Sequence, residues 1–250
     1  MANYDFPTEV ISLPSKGLVY PESNPLSSGQ LEIKYMTAKE EEILASQNLI
    51  KKGVVLDKLF ESIIVDNKIN IDDIIIGDKN AIMLATRILG YGPEYKIEIT
   101  NDLDEKEELS VDLSKIQTKE IDESLLNREN RYTFTTSNGT VLEYKLLSHG
   151  DEKKIDADIK ALQRLNKGTS AELTTRYRYM ILSVNGKTDT GSITGFINNQ
   201  FLTRDTRAFR EAVKKLQPDV VMEFEYEDPR TGEMEVRPIP MGVGFFWPTE

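Results

Sequence analysis

The chain has 250 residues, a formal charge of −11, one histidine and no cysteine. That length supports a sizeable core, in one large domain or two small ones. The composition excludes disulfides, thiol catalysis and thiolate metal sites. Acidic charge disfavours nucleic-acid backbones and anionic membrane surfaces.

Residues 1–29 carry Pro7, Pro14, Pro21 and Pro25. A long helix is impossible there, and extended and turn geometry is favoured. Short apolar pieces punctuate the stretch, Leu18-Val19-Tyr20 among them. They suggest an arm lying against another surface, with few contacts to its own helices. The alternative is an arm packed as an edge strand beside Leu31–Met36. In that segment, LEIKYM, Leu31, Ile33 and Tyr35 share one face, as in a strand.

Thr37 to Glu40 reads as a capping box, opening a helix to about Asn48. A second helix is expected from Val54 to Val65 and a third from Asp78 to Gly90. Residues 37–93 thus form an expected helical unit, after an N-terminal arm and strand over 1–36. From 94 to 147 the apolar period shortens to two. Tyr95, Ile97 and Ile99 alternate, as do Leu109, Val111 and Leu113. Asn138-Gly139 predicts a type I′ hairpin turn between Tyr132/Phe134 and Leu142/Tyr144.

Helical period returns from Asp151, in a block over 148–250 that is expected to be helical to 217 and to end in a hairpin and tail. Ile155, Ile159, Leu162 and Leu165 form one stripe. Ser170 is the expected cap of the next helix, with Leu173, Tyr177, Ile181 and Val184 as its face. A short helical turn is expected within GSITGFINNQFL. Asp205 is the expected cap of a last helix that Pro218 stops. The stretch from Val220 to Ile239 predicts a closing hairpin turned at DPRTGE. The fold class expected is therefore α+β: helical blocks flank a hairpin-rich middle, and a hairpin and aromatic tail follow.

The chemistry-bearing residues are sparse. His149 stands at a helix start, where a turn or capping role is favoured over catalysis. DNKINIDDIIIG has no glycine at the sixth position and no glutamate at the twelfth, as a calcium loop requires. Neither a P-loop, a GxGxxG nor a G-x-S-x-G occurs. In TTRYRYM, helical geometry sends Arg176 and Tyr177 about 100° apart, so Tyr177 reads as core rather than a base-stacking platform. No catalytic residue, cofactor or metal is expected, and neither nucleic acid nor a membrane is expected as partner.

The candidate partner-binding residues are instead Leu18 and Tyr20 on the arm, and Phe245, Phe246 and Trp247 near the end. Aromatic anchors give much contact area for little entropy lost. Pro238 and Pro240 interrupt the last strand, and Gly242 and Gly244 supply a hinge. In an extended tail, Phe245 and Trp247 share one face and Phe246 takes the other. Two readings stay open: an internal cap on the protein's own helices, or a docking peptide.

LPSKGLVYP, then KYMTAKEEEILASQNLIKKGVVLDKLFESIIVD and DKNAIMLATRILGYGPEYKIEI, resemble the baseplate hub assembly family of T4-like phages. The closing IPMGVGFFWP is similar to the same family's end. The resemblance covers residues 10–99 and the tail; the middle is weaker. It implies a non-enzymatic protein made in the host bacterial cytoplasm. Its partners would be other tail or hub proteins, with a homo-oligomer as a further option. The leading role is an assembly factor for hub or tape-measure subunits. The alternative is a permanent structural subunit of the virion baseplate. Some members carry cysteine pairs in the last hairpin, like a zinc ribbon; EYEDPRTGEMEV here has none, so the resemblance implies no metal.

Overall fold

The computed structural model describes residues 7–100, 106–165, 171–228 and 231–246. The fold is α+β, with short antiparallel sheets set among helices. The N-terminal stretch corrects the expectation of a loosely attached arm. Strand β1 (Thr8–Ser12) pairs antiparallel with β2 (Gln30–Lys34), so Val10 faces Glu32 and Ile11 faces Leu31. The turn-rich link between them is embedded: Leu13, Val19, Tyr20 and Leu26 are all buried. Gly17 makes this possible. Its φ is +76°, and a Cβ there would meet the Ser27 carbonyl oxygen at 2.4 Å. The arm folds inward because its apolar residues sit at turns, where they point to one side.

The capping box forms as expected. The Thr37 N–H donates to the Glu40 carboxylate at 2.9 Å, and the Thr37 hydroxyl accepts from the Lys39 N–H at 3.3 Å. The helix that follows is broken. Helix α1 (Ala38–Ala45) ends at Ser46, which is extended, and α2 (Gln47–Lys52) ends on left-handed Gly53. The break turns Leu49 and Ile50 onto the core that already holds Leu44. Helix α3 (Val55–Ile63) buries Val55, Leu59, Phe60 and Ile63. Helix α4 (Ile76–Tyr91) is buried along most of its length, with Ile82 and Met83 in the main core.

Strands β3 (Glu94–Thr100) and β4 (Lys106–Asp112) pair with Tyr95 opposite Val111. Strands β5 (Tyr132–Thr135) and β6 (Val141–Tyr144) form the expected second hairpin. Its turn differs from the expected type I′. Only Gly139 takes a positive φ, and its N–H bonds back to the Thr136 carbonyl at 3.0 Å. That is a type I turn closed by a left-handed glycine.

After α5 (His149–Leu165), α6 (Glu172–Met180) ends early. Ile181 and Val184 were expected on its face; they belong instead to β7 (Ile181–Val184), the third strand beside β6. Two buried residues three apart fit both a helical face and an irregular strand, so periodicity alone misassigns them. The expected cap Ser170 lies outside the described residues. Helix α7 (Thr190–Asn199) is longer than the expected turn, and Asp189 caps it by accepting from the Ser192 N–H at 2.8 Å.

Helix α8 (Thr203–Leu216) starts two residues before Asp205, so the expected cap is corrected too. Asp205 accepts from the Ser137 N–H at 2.8 Å, tying α8 to the β5–β6 turn. Strands β8 (Glu223–Glu227) and β9 (Met234–Pro238) close the chain as a hairpin.

The core ignores the boundaries read from sequence. One cluster joins the arm, α1, α3, α4, the β5–β6–β7 sheet and α6 to α8. A second, smaller cluster holds Leu84, Tyr95, Leu113, Ile239 and Phe245. The 94–147 stretch is thereby split. Its first hairpin packs with β8–β9, and its second packs with the helices.

Candidate functional site

An open cleft of about 780 Å³ lies between α6, α8 and the chain leading into β8. Its apolar floor is Leu147, Val213, Val220 and Met222, all partly exposed, with Tyr177, Met180 and Phe209 buried behind them. Phe209 is completely buried, with rings of Phe134, Tyr144, Tyr177 and Phe201 packed around it at 5.0 to 5.8 Å. A floor backed by interlocked rings is rigid. Leu173 and Val221 stand on the rim, 46% and 39% exposed.

The polar rim is held in place. Glu152 accepts from Lys79 at 3.0 Å and from Arg176 at 3.3 Å. Burial pushes its carboxyl up, but the two cations outweigh that and leave it below the ordinary range. Arg210 donates to the Tyr177 hydroxyl at 2.8 Å. Lys119 donates to the Gln217 carbonyl at 2.9 Å and to the Lys214 carbonyl, capping the C-terminal end of α8. Burial lowers the Lys119 pKa, opposed by Asp219 and reinforced by Lys214. The lining carries Lys119, Arg176, Arg210 and Lys214 against Glu152, Glu211, Asp219 and Glu223. The cleft thus carries charges of both signs around an apolar floor.

The sequence-chosen anchors lie elsewhere. Tyr20 is 3% exposed, and Leu18 is only partly exposed. Neither stands free as an anchor in this conformation. Tyr20 reaches under α4, where its hydroxyl donates to Asp78 at 2.6 Å and accepts from the Ile75 N–H at 3.1 Å. The Ser15 N–H and hydroxyl donate to the same carboxylate at 2.9 and 2.6 Å. Burial pushes the Asp78 carboxyl up, and the Ser15 and Tyr20 bonds only partly oppose this.

Phe245 and Phe246 are 1% and 0% exposed, in a short 3-10 turn over Val243–Phe246. For these two rings the internal-cap reading holds. Phe245 packs on Tyr95 in the smaller cluster, with ring centroids 5.1 Å apart, while Phe246 enters the main one. Adjacent rings therefore join the two cores. Trp247 lies outside the described residues. The expected glycine hinge is not needed: Gly242 and Gly244 have no positive φ, and a Cβ on either would meet nothing within 4 Å.

His149 is 6% exposed, with Nε2 on Asp57 and its ring edge-on to Phe60. Asp57 also takes Lys153 at 2.9 Å. Burial raises its carboxyl, but the bonds from Lys153 and His149 outweigh it and lower the pKa. This set ties α3 to α5 and does not line the cleft. Among the described residues no group of three His, Asp or Glu is placed to hold a metal ion, and no helix is long and apolar enough to cross a membrane.

Sequence reasoning missed the cleft. Tyr177, Met180 and Phe209 read as ordinary helix-face core, and only the exposure of Leu173 and Val221 beside them marks a site. Comparison with models of known families, with curated proteins and with solved structures returns no match.

Proposed function

We propose that this chain is a non-enzymatic binding factor in assembly of the baseplate hub of a contractile-tailed phage. It acts in the host cytoplasm and holds hub or tape-measure subunits until the tail forms. The observation that supports this most is the cleft: a rigid apolar floor, rim residues Leu173 and Val221 partly exposed, and charges of both signs around it. Such a surface takes an apolar protein segment by burial and orients it by polar contacts. The sequence resemblance supplies the phage context.

Two measurements test the reading. Val221→Glu puts a charge on the apolar rim at a position already 39% exposed, so the fold should survive. The variant is expected to remain folded by circular dichroism and to fail in supporting tail assembly during infection. Full assembly with this variant would remove the cleft from the function. The copy number in purified virions then separates the roles. An assembly factor is absent or sub-stoichiometric, whereas a structural subunit is present at a symmetry-compatible number.

A further inference from the structure

The C-terminal hairpin has a second feature that neither the cleft nor the resemblance uses. Its sheet has two strands, and among the described residues β8 is the strand that β9 pairs with. The phase of the ladder is fixed at both ends. The Ile239 N–H bonds to the Met222 carbonyl, and the Asp228 N–H bonds to the Glu233 carbonyl. Register is continuous between these points, so Glu235 and Arg237 also turn their backbone groups toward β8. Met234, Val236 and Pro238 turn theirs outward. Pro238, which has no N–H, thus sits where a missing donor costs the ladder nothing. Met234 and Val236 are 60% and 62% exposed.

We propose that β9 pairs with β9 of a second copy of this chain, antiparallel about a two-fold axis at Val236, to give a four-stranded sheet across a dimer. In this register the two Val236 residues exchange N–H···O=C bonds. Each Met234 N–H meets the Pro238 carbonyl of the other copy, and the absent Pro238 donor leaves only the Met234 carbonyl without a strand partner. The side chains agree. Glu235, which already pairs with Arg237 of its own chain at 2.9 Å, also lies opposite Arg237 of the other copy, and the exposed Val236 side chains cover each other. Centring the axis on Glu235 or on Arg237 instead sets like charges directly opposite.

Self-pairing is confined to this edge. On β8 the exposed residues are Glu223, Glu225 and Glu227. An antiparallel β8–β8 pair centred on Glu225 would align carboxylate with carboxylate at each of them. The assembly therefore closes as a dimer and does not run on as a fibre. Each copy carries a formal charge of −11, so association should strengthen as salt rises.

The absence of cysteine from the chain allows a direct test. Across the proposed axis, the Cα atoms of Val236 and its counterpart lie about 5.5 Å apart, within disulfide reach. The Glu225 pair, three strand spacings apart, lies at about 14 Å. Val236→Cys is expected to oxidise to a covalent dimer at least tenfold faster than Glu225→Cys at equal concentration. Equal rates, or no dimer from Val236→Cys, overturn the proposal. In sedimentation equilibrium the unmodified chain should show a reversible dimer, and Val236→Pro should weaken it at least tenfold without losing a β8 bond. Val236→Glu, which places like charges across the axis at an exposed site, should do the same. A dimer that survives both substitutions, or a wild-type chain that stays monomeric at all salt and protein concentrations, refutes β9 pairing.

Discussion

Replacing Asp78 by alanine tests what holds the N-terminal segment in place. The carboxylate is fully buried and accepts from the Ser15 N–H, the Ser15 hydroxyl and the Tyr20 hydroxyl. On its removal the hydroxyls keep other contacts, since Ser15 Oγ accepts from the Gly17 N–H and the Tyr20 oxygen from the Ile75 N–H. The Ser15 N–H loses its acceptor outright, at about 1–3 kcal/mol. Two bonds to a charged acceptor go as well, each worth about 1.5–3 kcal/mol. Release of a desolvated carboxylate offsets part of this. The net expectation is a loss of about 2–5 kcal/mol for Asp78→Ala, and about 1 kcal/mol for the near-isosteric Asp78→Asn, because a neutral amide still accepts one bond. Urea unfolding with linear extrapolation measures both. The Asp78 pKa is raised by burial, so the folded chain holds that proton more tightly than the unfolded chain. Its contribution is full below the ordinary carboxylate pKa and is lost as pH rises through the higher folded value. Relative to wild type, Asp78→Asn should therefore gain as pH rises through that window. An alanine variant within about 1 kcal/mol of wild type, or an Asn–wild-type difference independent of pH, refutes the buried-latch reasoning.

The remaining predictions concern packing. Gly77→Ala should destabilise the chain by at least about 2 kcal/mol, since the new Cβ would sit 1.7 Å from the Pro218 carbonyl oxygen. Gly195→Ala, inside α7 with nothing within 4 Å of its Cβ, should instead stabilise by about 0.5–1 kcal/mol; thermal unfolding of the pair checks the sign of each. Phe246→Ala should cost about 3–5 kcal/mol by opening a cavity at a fully buried site. If truncation before Phe245 left the urea midpoint unchanged, these two rings would not be an internal cap.

The sequence exposed local structure well where one period or one motif decides it. The Thr37–Glu40 box, the alternation in β3, β4 and β8, and the stripe of α3 are of that kind. What it hid is long-range. Ser15 meets Asp78 across 63 positions, and no local pattern announces that a proline-rich stretch will wrap around a buried carboxylate. The same blindness made Tyr20, Phe245 and Phe246 look like free anchors. Aromatic residues near chain ends are equally suited to gripping a partner and to closing the protein's own core, and only burial distinguishes the two uses.

Burial of these rings also moves the search for binding surfaces. Tyr20, Phe245 and Phe246 cannot be withdrawn from the core without opening it, because Phe245 and Phe246 occupy the two clusters at once and Tyr20 satisfies both Asp78 and the Ile75 N–H. A partner that extracted them would first have to supply several kcal/mol of lost packing. Binding at sites already exposed carries no such cost. The rim of the cleft at Leu173 and Val221, and the outer edge of β9 at Met234 and Val236, are such sites. One presents an apolar floor backed by packed rings and the other a strand edge with no second strand beside it among the described residues, so they suit different modes of recognition: an apolar segment laid on side chains, and a strand added to a sheet. The two sites flank the same hairpin, since Val221 lies just before β8 and β9 returns along it. Pairing at β9 would hold that hairpin in a wider sheet, and the chain leading into β8 forms one wall of the cleft. Dimer formation and occupancy of the cleft thus bear on one structural element, and each is open to a separate substitution, Val236→Pro for the edge and Val221→Glu for the rim.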